Sequence, residues 1–273
     1  LVEHSSDQAG LKKHYRTLFI SDVHLGTKGC QADLLLDFLK THEADTYYLV
    51  GDIVDFWRLK RTPHWPQSHN DVIQKLLRLV RKGARFVYIP GNHDEVLRSY
   101  CGQHFGGVEF KLNDIHIAAN GRRFLVTHGD EFDVVISYVK WLAFLGDWAY
   151  GVAMGVNTAF NKVRRQFGMP YWSLSAYLKH KVKTAVNYIG DFESALTAEA
   201  RRHNAEGVIC GHIHFAALRE SEGVAYINCG DWMESATAVG EAADGSFEII
   251  RYLDVLEAER SRAAAANATA AAA

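Results

Sequence analysis

Thr17-Leu18-Phe19-Ile20-Ser21-Asp22-Val23-His24 decides how this chain is read. An apolar run suited to a buried strand ends in a carboxylate and an imidazole two residues apart. The device recurs. Val50-Gly51-Asp52 closes a second apolar run, and Pro90-Gly91-Asn92-His93-Asp94 a third. Val126-Thr127-His128-Gly129 and Cys210-Gly211-His212-Ile213-His214 close two more. Each time a short hydrophobic segment delivers Asp, Asn or His into a turn, with glycine beside it in the last four.

Working outward, Tyr15 to Ile20 reads as a strand. Gln31 to His42 has Leu34, Leu35, Phe38 and Leu39 at helical spacing. Thr46 to Val50 is the next strand. Asp71 to Lys82 is a helix stopped by Gly83, and Arg85 to Ile89 is a strand again. Strand–helix alternation favours parallel pairing with crossover helices, and such sheets gather ligands at the carboxyl ends of their strands. The Asp, Asn and His residues fall at those ends.

Beyond His104 the texture changes. Val108 to Phe110, Ile115 to Ala118 and Phe124 to Val126 are short strands. Asn113-Asp114 and Asn120-Gly121 read as hairpin turns between them. Val208 to Cys210, Val224 to Asn228 and Phe247 to Tyr252 continue the pattern, with a further turn at Asp244-Gly245. This half is expected to form a mainly antiparallel sheet packed on the first.

Residues 131–195 stand apart as a helical insertion, or lid, on the rim of the site. Val134 to Val156 is apolar nearly all round, with Trp141, Phe144 and Trp148. From Trp148 to Gly190 there is no acidic residue, while Lys162, Arg164, Arg165, Lys179, Lys181 and Lys183 are basic. A membrane span over Val134 to Val156 is disfavoured by Lys140 and Asp147, since a central charge costs about 2.5–3.5 kcal/mol. A lid or a helix lying on a surface fits better, and core or oligomer packing is the plain alternative. The basic residues suit anionic groups, at about 1 kcal/mol per charge near an anionic membrane surface. Their plain reading is a solvated helix face.

The chain has 273 residues and a net charge of −2, ordinary globular values that by themselves say nothing about nucleic acid, and no nucleic-acid partner is expected. Cys30, Cys101, Cys210 and Cys229 show no paired spacing and read as reduced thiols of a cytoplasmic protein. The domain is expected over 14–258, with tails at 1–13 and 259–273. The first tail shows no apolar signal core, and the second is nearly all alanine.

Two divalent ions can clamp the attacking and leaving oxygens of phosphoryl transfer. They need hard or borderline ligands, one of them able to bridge. Asp22 and His24 can face one ion if the chain turns there. Asp52 is the candidate bridge, Asn92 offers an amide oxygen, and His128, His212 and His214 offer imidazoles. His212 and His214 serve different ions only if their loop bends. The other nine histidines read as surface or structural. Asp94 reads as a support for the ligands.

Asp22-x-His24, Gly51-Asp52-x-x-Asp55, Gly91-Asn92-His93-Asp94, His128-Gly129 and Gly211-His212-x-His214 together resemble the calcineurin-like metallophosphoesterase family, in that family's order. The resemblance implies an α/β fold: a four-layer sandwich of two mixed β-sheets flanked by helices. It implies one ion on Asp22, His24, Asp52 and His214, and another on Asp52, Asn92, His128 and His212. It places a bridging hydroxide as nucleophile and His93 near the leaving group, oriented by Asp55. The ions would be Mn²⁺, with Fe or Zn²⁺ also compatible with the ligands. The apolar insertion, Gly51 to Trp57, and Asn228-Cys229-Gly230-Asp231-Trp232 look like the UDP-2,3-diacylglucosamine hydrolase branch. That likeness implies cleavage of a lipid-linked nucleotide sugar to UMP and 2,3-diacylglucosamine 1-phosphate. It also implies an enzyme lying peripherally on the inner face of the inner membrane, with Arg164, Arg165, Trp141, Phe144 and Trp148 meeting the substrate. The branch usually carries Arg where this chain has His93, which is the wider family's residue. The alternatives are a general phosphodiesterase or nuclease of the same family, and a scaffold without chemistry. Against a nuclease, Trp141, Phe144 and Trp148 sit among aliphatic residues and are not spread as a base-stacking platform. Oligomeric state is left open by the sequence.

Overall fold

A computed structural model describes residues 12–132, 189–221 and 223–272. Most of the expected insertion, including Trp141, Phe144, Trp148, Arg164 and Arg165, lies outside the described residues. Two compact units divide the chain: Leu1–Asp130 with Thr197–Ala273, and Glu131–Leu196.

The first unit opens on β1 (Lys13–Ile20), α1 (Ala32–Thr41), β2 (His42–Val50), α2 (Phe56–Arg61), α3 (Gln67–Arg81) and β3 (Arg85–Ile89). β1, β2 and β3 pair in parallel, with Phe19 opposite Tyr48 and Tyr48 opposite Val87. Side chains alternate across these strands. Leu18, Ile20, Tyr47, Leu49, Phe86 and Tyr88 pack into one apolar cluster with Phe38 and Leu39 of α1 and Val72 and Leu76 of α3. Phe19, Tyr48, Val50, Val87 and Ile89 turn to a second cluster with Phe124, Val126, Ile209 and Ile227. Both faces are buried, which is why these strands read as unbroken hydrophobic runs.

The later strands are β4 (His104–Phe105), β5 (Val108–Phe110), β6 (Asp114–Ile117), β7 (Arg123–Val126), β8 (Gly207–Cys210), β9 (Ala217–Ser221), β10 (Val224–Asn228), β11 (Thr237–Glu241) and β12 (Phe247–Arg251). They divide between a seven-stranded sheet, β12-β11-β1-β2-β3-β5-β4, and a five-stranded sheet, β6-β7-β8-β10-β9. Both sheets are mixed. The second is not mainly antiparallel as expected, because β8 lies parallel to both β7 and β10. Nor do all the later strands join it. β5 continues the first sheet parallel to β3, and β11 and β12 close that sheet's other edge. Asn113-Asp114 is therefore a crossover between sheets. Asn120-Gly121 and Asp244-Gly245 do make hairpin turns.

Residues 189–202 form a helix, α4, which begins in the second unit, and Tyr252–Ala272 forms α5. α5 takes in the alanine-rich end. Alanine has the best helix propensity, so such a run needs no packed face to be helical.

A clasp joins the two sheets at Glu241 of β11. Its Oε1 accepts from Arg16 at 2.7 Å and from the Ala119 N–H at 2.8 Å, and its Oε2 lies 2.8 Å from His116 Nε2. Burial raises the Glu241 carboxyl, but His116, Thr17 and Ala119 outweigh it and hold it at about 2 against an ordinary 4.5. A depressed carboxyl stabilises the fold above its ordinary pKa and loses that contribution as pH falls through the folded value. Glu241→Gln is expected to cost about 1.5–3 kcal/mol at neutral pH. It should flatten the stability loss between pH 4.5 and 2, read from urea unfolding across that range.

Candidate active site

The candidate ligands sit where strands of both sheets end, and the backbone there turns sharply. Asp22, His24, Asp52, His212 and His214 all have left-handed φ, between 51° and 71°. Non-glycine residues rarely adopt that conformation. Here it lets Asp22 and His24, and His212 and His214, leave a straight strand path. The bend is also held by hydrogen bonds between loops. Val23 and His24 N–H both donate to the Asp52 carbonyl, at 3.0 and 2.8 Å, and Leu25 N–H donates to Ile53 at 2.9 Å.

Three groups of side chains converge: Asp22, His24 and His214; His24, Asp52 and His93; Asp52, His128 and His212. His214 Nε2 lies 3.2 Å from Asp22 Oδ1 and 3.3 Å from His24 Nε2. Asp52 Oδ2 faces both sides, 3.8 Å from His24 Nε2 and 3.4 Å from His128 Nε2. Its position between the groups suits the bridging role expected of it. The His128 and His212 rings stand 5.1 Å apart.

Four buried atoms in this constellation make no hydrogen bond of good geometry: Asp22 Oδ1, Asn92 Oδ1, His93 Nδ1 and His128 Nε2, the first, third and last having only ion-pair neighbours. Buried polar atoms are normally satisfied, and an orphan costs about 1–3 kcal/mol. Three orphans on candidate ligand atoms fit a centre completed by cations. The electrostatics agree. Burial pulls the His128 imidazole down, but Asp52 and Asp22 push it up to about 10. Burial raises Asp22 and Asp52, yet the surrounding imidazoles hold both carboxyls below the ordinary range. These anions therefore draw positive charge into a desolvated site.

Supports fix the ligands. His128 Nδ1–H donates to the Val50 carbonyl at 3.0 Å, which leaves Nε2 free for the centre. Asp22 Oδ2 accepts from His212 N–H at 2.9 Å, and Asp52 Oδ1 from His93 N–H at 2.8 Å. Asp55 Oδ2 lies 3.3 Å from His24 Nδ1 and 3.0 Å from His93 Nδ1, while Oδ1 caps α2 at Arg58 N–H. Those contacts hold the Asp55 carboxyl down at about 2 against the raising effect of burial. Asp94 accepts from Gly91 and Ile53 N–H and from the Tyr88 hydroxyl, so its oxygens hold the loop together. In the run Asn228 to Trp232, Gly230 accepts from Ser21 Oγ and Trp232 N–H donates to the Asp22 carbonyl, bracing the first candidate ligand.

Sequence reasoning missed two contributions. Trp57, 43% exposed, lays its ring 4.4 Å from that of His93. Its closeness to Asp55 in sequence was the available signal. Gly91 and Gly51 admit ligand side chains where a Cβ would stand. At Gly91 it would come 2.3 Å from Asp52 Oδ1, and at Gly51 it would come 2.1 Å from His128 Nδ1. Glycine's recurrence beside the ligands was the sign of that crowding.

Two mixed sheets with carboxylates and imidazoles gathered at their strand ends define a candidate metallohydrolase. Residues 15–216 match the calcineurin-like phosphoesterase family, and the chain belongs to it. It is a metal-dependent phosphoesterase by that membership. Among curated relatives, a UDP-2,3-diacylglucosamine hydrolase of Aeromonas hydrophila is 26% identical over 243 residues, 82% of this chain and 93% of that one. Proteins of the same name from Neisseria gonorrhoeae and Porphyromonas gingivalis are 27% and 24% identical. They cover 78% and 79% of this chain, and 88% and 89% of their own lengths.

Proposed function

We propose that this chain hydrolyses the diphosphate of UDP-2,3-diacylglucosamine, giving UMP and 2,3-diacylglucosamine 1-phosphate. The observation that carries the reading is the set of three orphaned ligand atoms around Asp52, in a chain similar over most of its length to hydrolases of that name. Asp22, His24, Asp52 and His214 would hold one divalent ion, and Asp52, Asn92, His128 and His212 the other. Mn²⁺ is the proposed metal at both. Such ions supply Lewis acidity, neutralising phosphoryl oxygens and acidifying water. The chain's own residues do the rest. Asp55 Oδ2 lies 3.0 Å from Nδ1 of His93, so Nε2 is the nitrogen left to face the departing oxygen. Trp57 lies tilted at 36° against the same ring, 4.4 Å between centroids, and limits its rotation.

The domain is taken as 14–258, with 131–195 as a lid. Trp141, Phe144 and Trp148 would receive the acyl chains, and Arg164 and Arg165 the anionic groups beside them. Among the described residues no helix is long and apolar enough to cross a membrane. A cytoplasmic enzyme resting peripherally on the inner membrane would meet such a lipid through the lid.

The test is UMP release from UDP-2,3-diacylglucosamine in detergent, with Mn²⁺ and with EDTA. Release that depends on Mn²⁺ and outpaces bis-p-nitrophenyl phosphate hydrolysis is expected. Turnover of the generic diester alone, or robust cleavage of single-stranded DNA indifferent to lipid, would discard the lipid substrate and favour the general phosphodiesterase.

A further inference from the structure

Beside the candidate centre lies a cavity of about 570 Å³, which His24, His93 and His214 share with Lys28, Arg58 and His64. Asp55 is the one carboxylate among the residues lining it. That carboxylate is already engaged, with one oxygen capping α2 and the other facing His24 and His93. The Arg58 guanidinium and the Lys28 ammonium pair with no carboxylate among the described residues. Both lie close in sequence to the site, Lys28 following His24 and Arg58 following Asp55 on the first turn of α2.

A site that already attracts cations to its carboxylates gains nothing from two further positive side chains unless an anion comes between them. The centre itself accounts for one phosphoryl group. The second phosphoryl group of a diphosphate is joined to the first through a single oxygen, so a cation flanking the centre meets it. A simple phosphodiester has no such group.

We propose that Arg58 and Lys28, with His64, form an anion subsite that takes the second phosphoryl group of a diphosphate ester and selects it over single-phosphate diesters. The inference rests on the phosphoesterase reading above and deepens it. Arg58 offers a planar fork suited to two phosphoryl oxygens, and Lys28 a point charge.

The test compares Arg58→Ala, Lys28→Ala and the double variant on UDP-2,3-diacylglucosamine and on bis-p-nitrophenyl phosphate. Both side chains are exposed, so the variants are expected to fold. A charge-assisted hydrogen bond is worth about tenfold or more. Each single variant should therefore lower the ratio of kcat/KM on the diphosphate to that on the diester by about tenfold, and Arg58→Lys should recover part of it. Equal losses on both substrates, or none, would overturn the subsite. A second measurement separates it from the function reading: calorimetric binding of methylenediphosphonate and of inorganic phosphate to the Mn²⁺-loaded protein. Diphosphonate binding that weakens in the double variant more than phosphate binding supports the subsite, even where the wild type turns over neither ester. Unchanged diphosphonate binding overturns it.

Discussion

Asp52→Ala is expected to lose more than about 100-fold in kcat/KM on every phosphate ester the wild type cleaves. The estimate is a lower bound. Partners that merely orient a metal ligand cost about 10–100-fold when removed, and Asp52 faces both halves of the candidate centre, through His24 on one side and His128 on the other. Its removal also leaves the His93 N–H without the acceptor it has at 2.8 Å. Metal content per chain should fall in parallel, measured by atomic emission after gel filtration. A variant that keeps both its metal and its turnover would contradict a bridging Asp52. Folding serves as the control, since Asp52 lies in a loop and outside the two apolar clusters.

His93→Ala is the second large effect, with a different signature. Loss of a proton donor costs about 10²–10⁴-fold where the leaving group needs a proton. The diphosphate substrate should show that loss. Bis-p-nitrophenyl phosphate should show a markedly smaller one, because its leaving group departs readily as the anion. Metal content should stay near the wild-type value, since Nδ1 of His93 is turned to Asp55. Asp55→Asn should move the same ratio in the same direction by a smaller factor, because it loosens the ring without deleting it. Equal losses on the two substrates would assign His93 to binding the phosphate instead.

The parallel half of the fold was readable from the chain because β1, β2 and β3 are buried on both faces and each is followed by an amphipathic or turn signal. The later strands were found as strands, but their sheet was not. β5 is three residues long, and its alternation cannot say whether it pairs with β3 or with β6. That choice rests on contacts far apart in sequence. α2 was missed because Phe56-Trp57-Arg58-Leu59-Lys60-Arg61 makes fewer than two turns of helix, fixed by the Asp55 cap and with no fully buried residue. In the site, the residue types at the ends of five apolar runs pointed to one place. The geometry that brings them together, left-handed backbone at five of them and absent Cβ atoms beside them, has no signature beyond the recurring glycine. Arg58 and Lys28 were invisible for the opposite reason: isolated surface cations look alike in sequence, and only their shared cavity distinguishes them.

The five left-handed positions have a bearing on laboratory evolution. Each such residue outside glycine carries about 1–2 kcal/mol of steric cost, and Asp22 and Asp52 add buried charge to it. A selection that rewards heat tolerance alone would find gains at the less buried of these positions, replacing His212 or His214 with glycine. The survivors would be robust and inert. Any campaign to harden this scaffold therefore has to screen for turnover in the same round as for melting, or it will enrich the dead variants first.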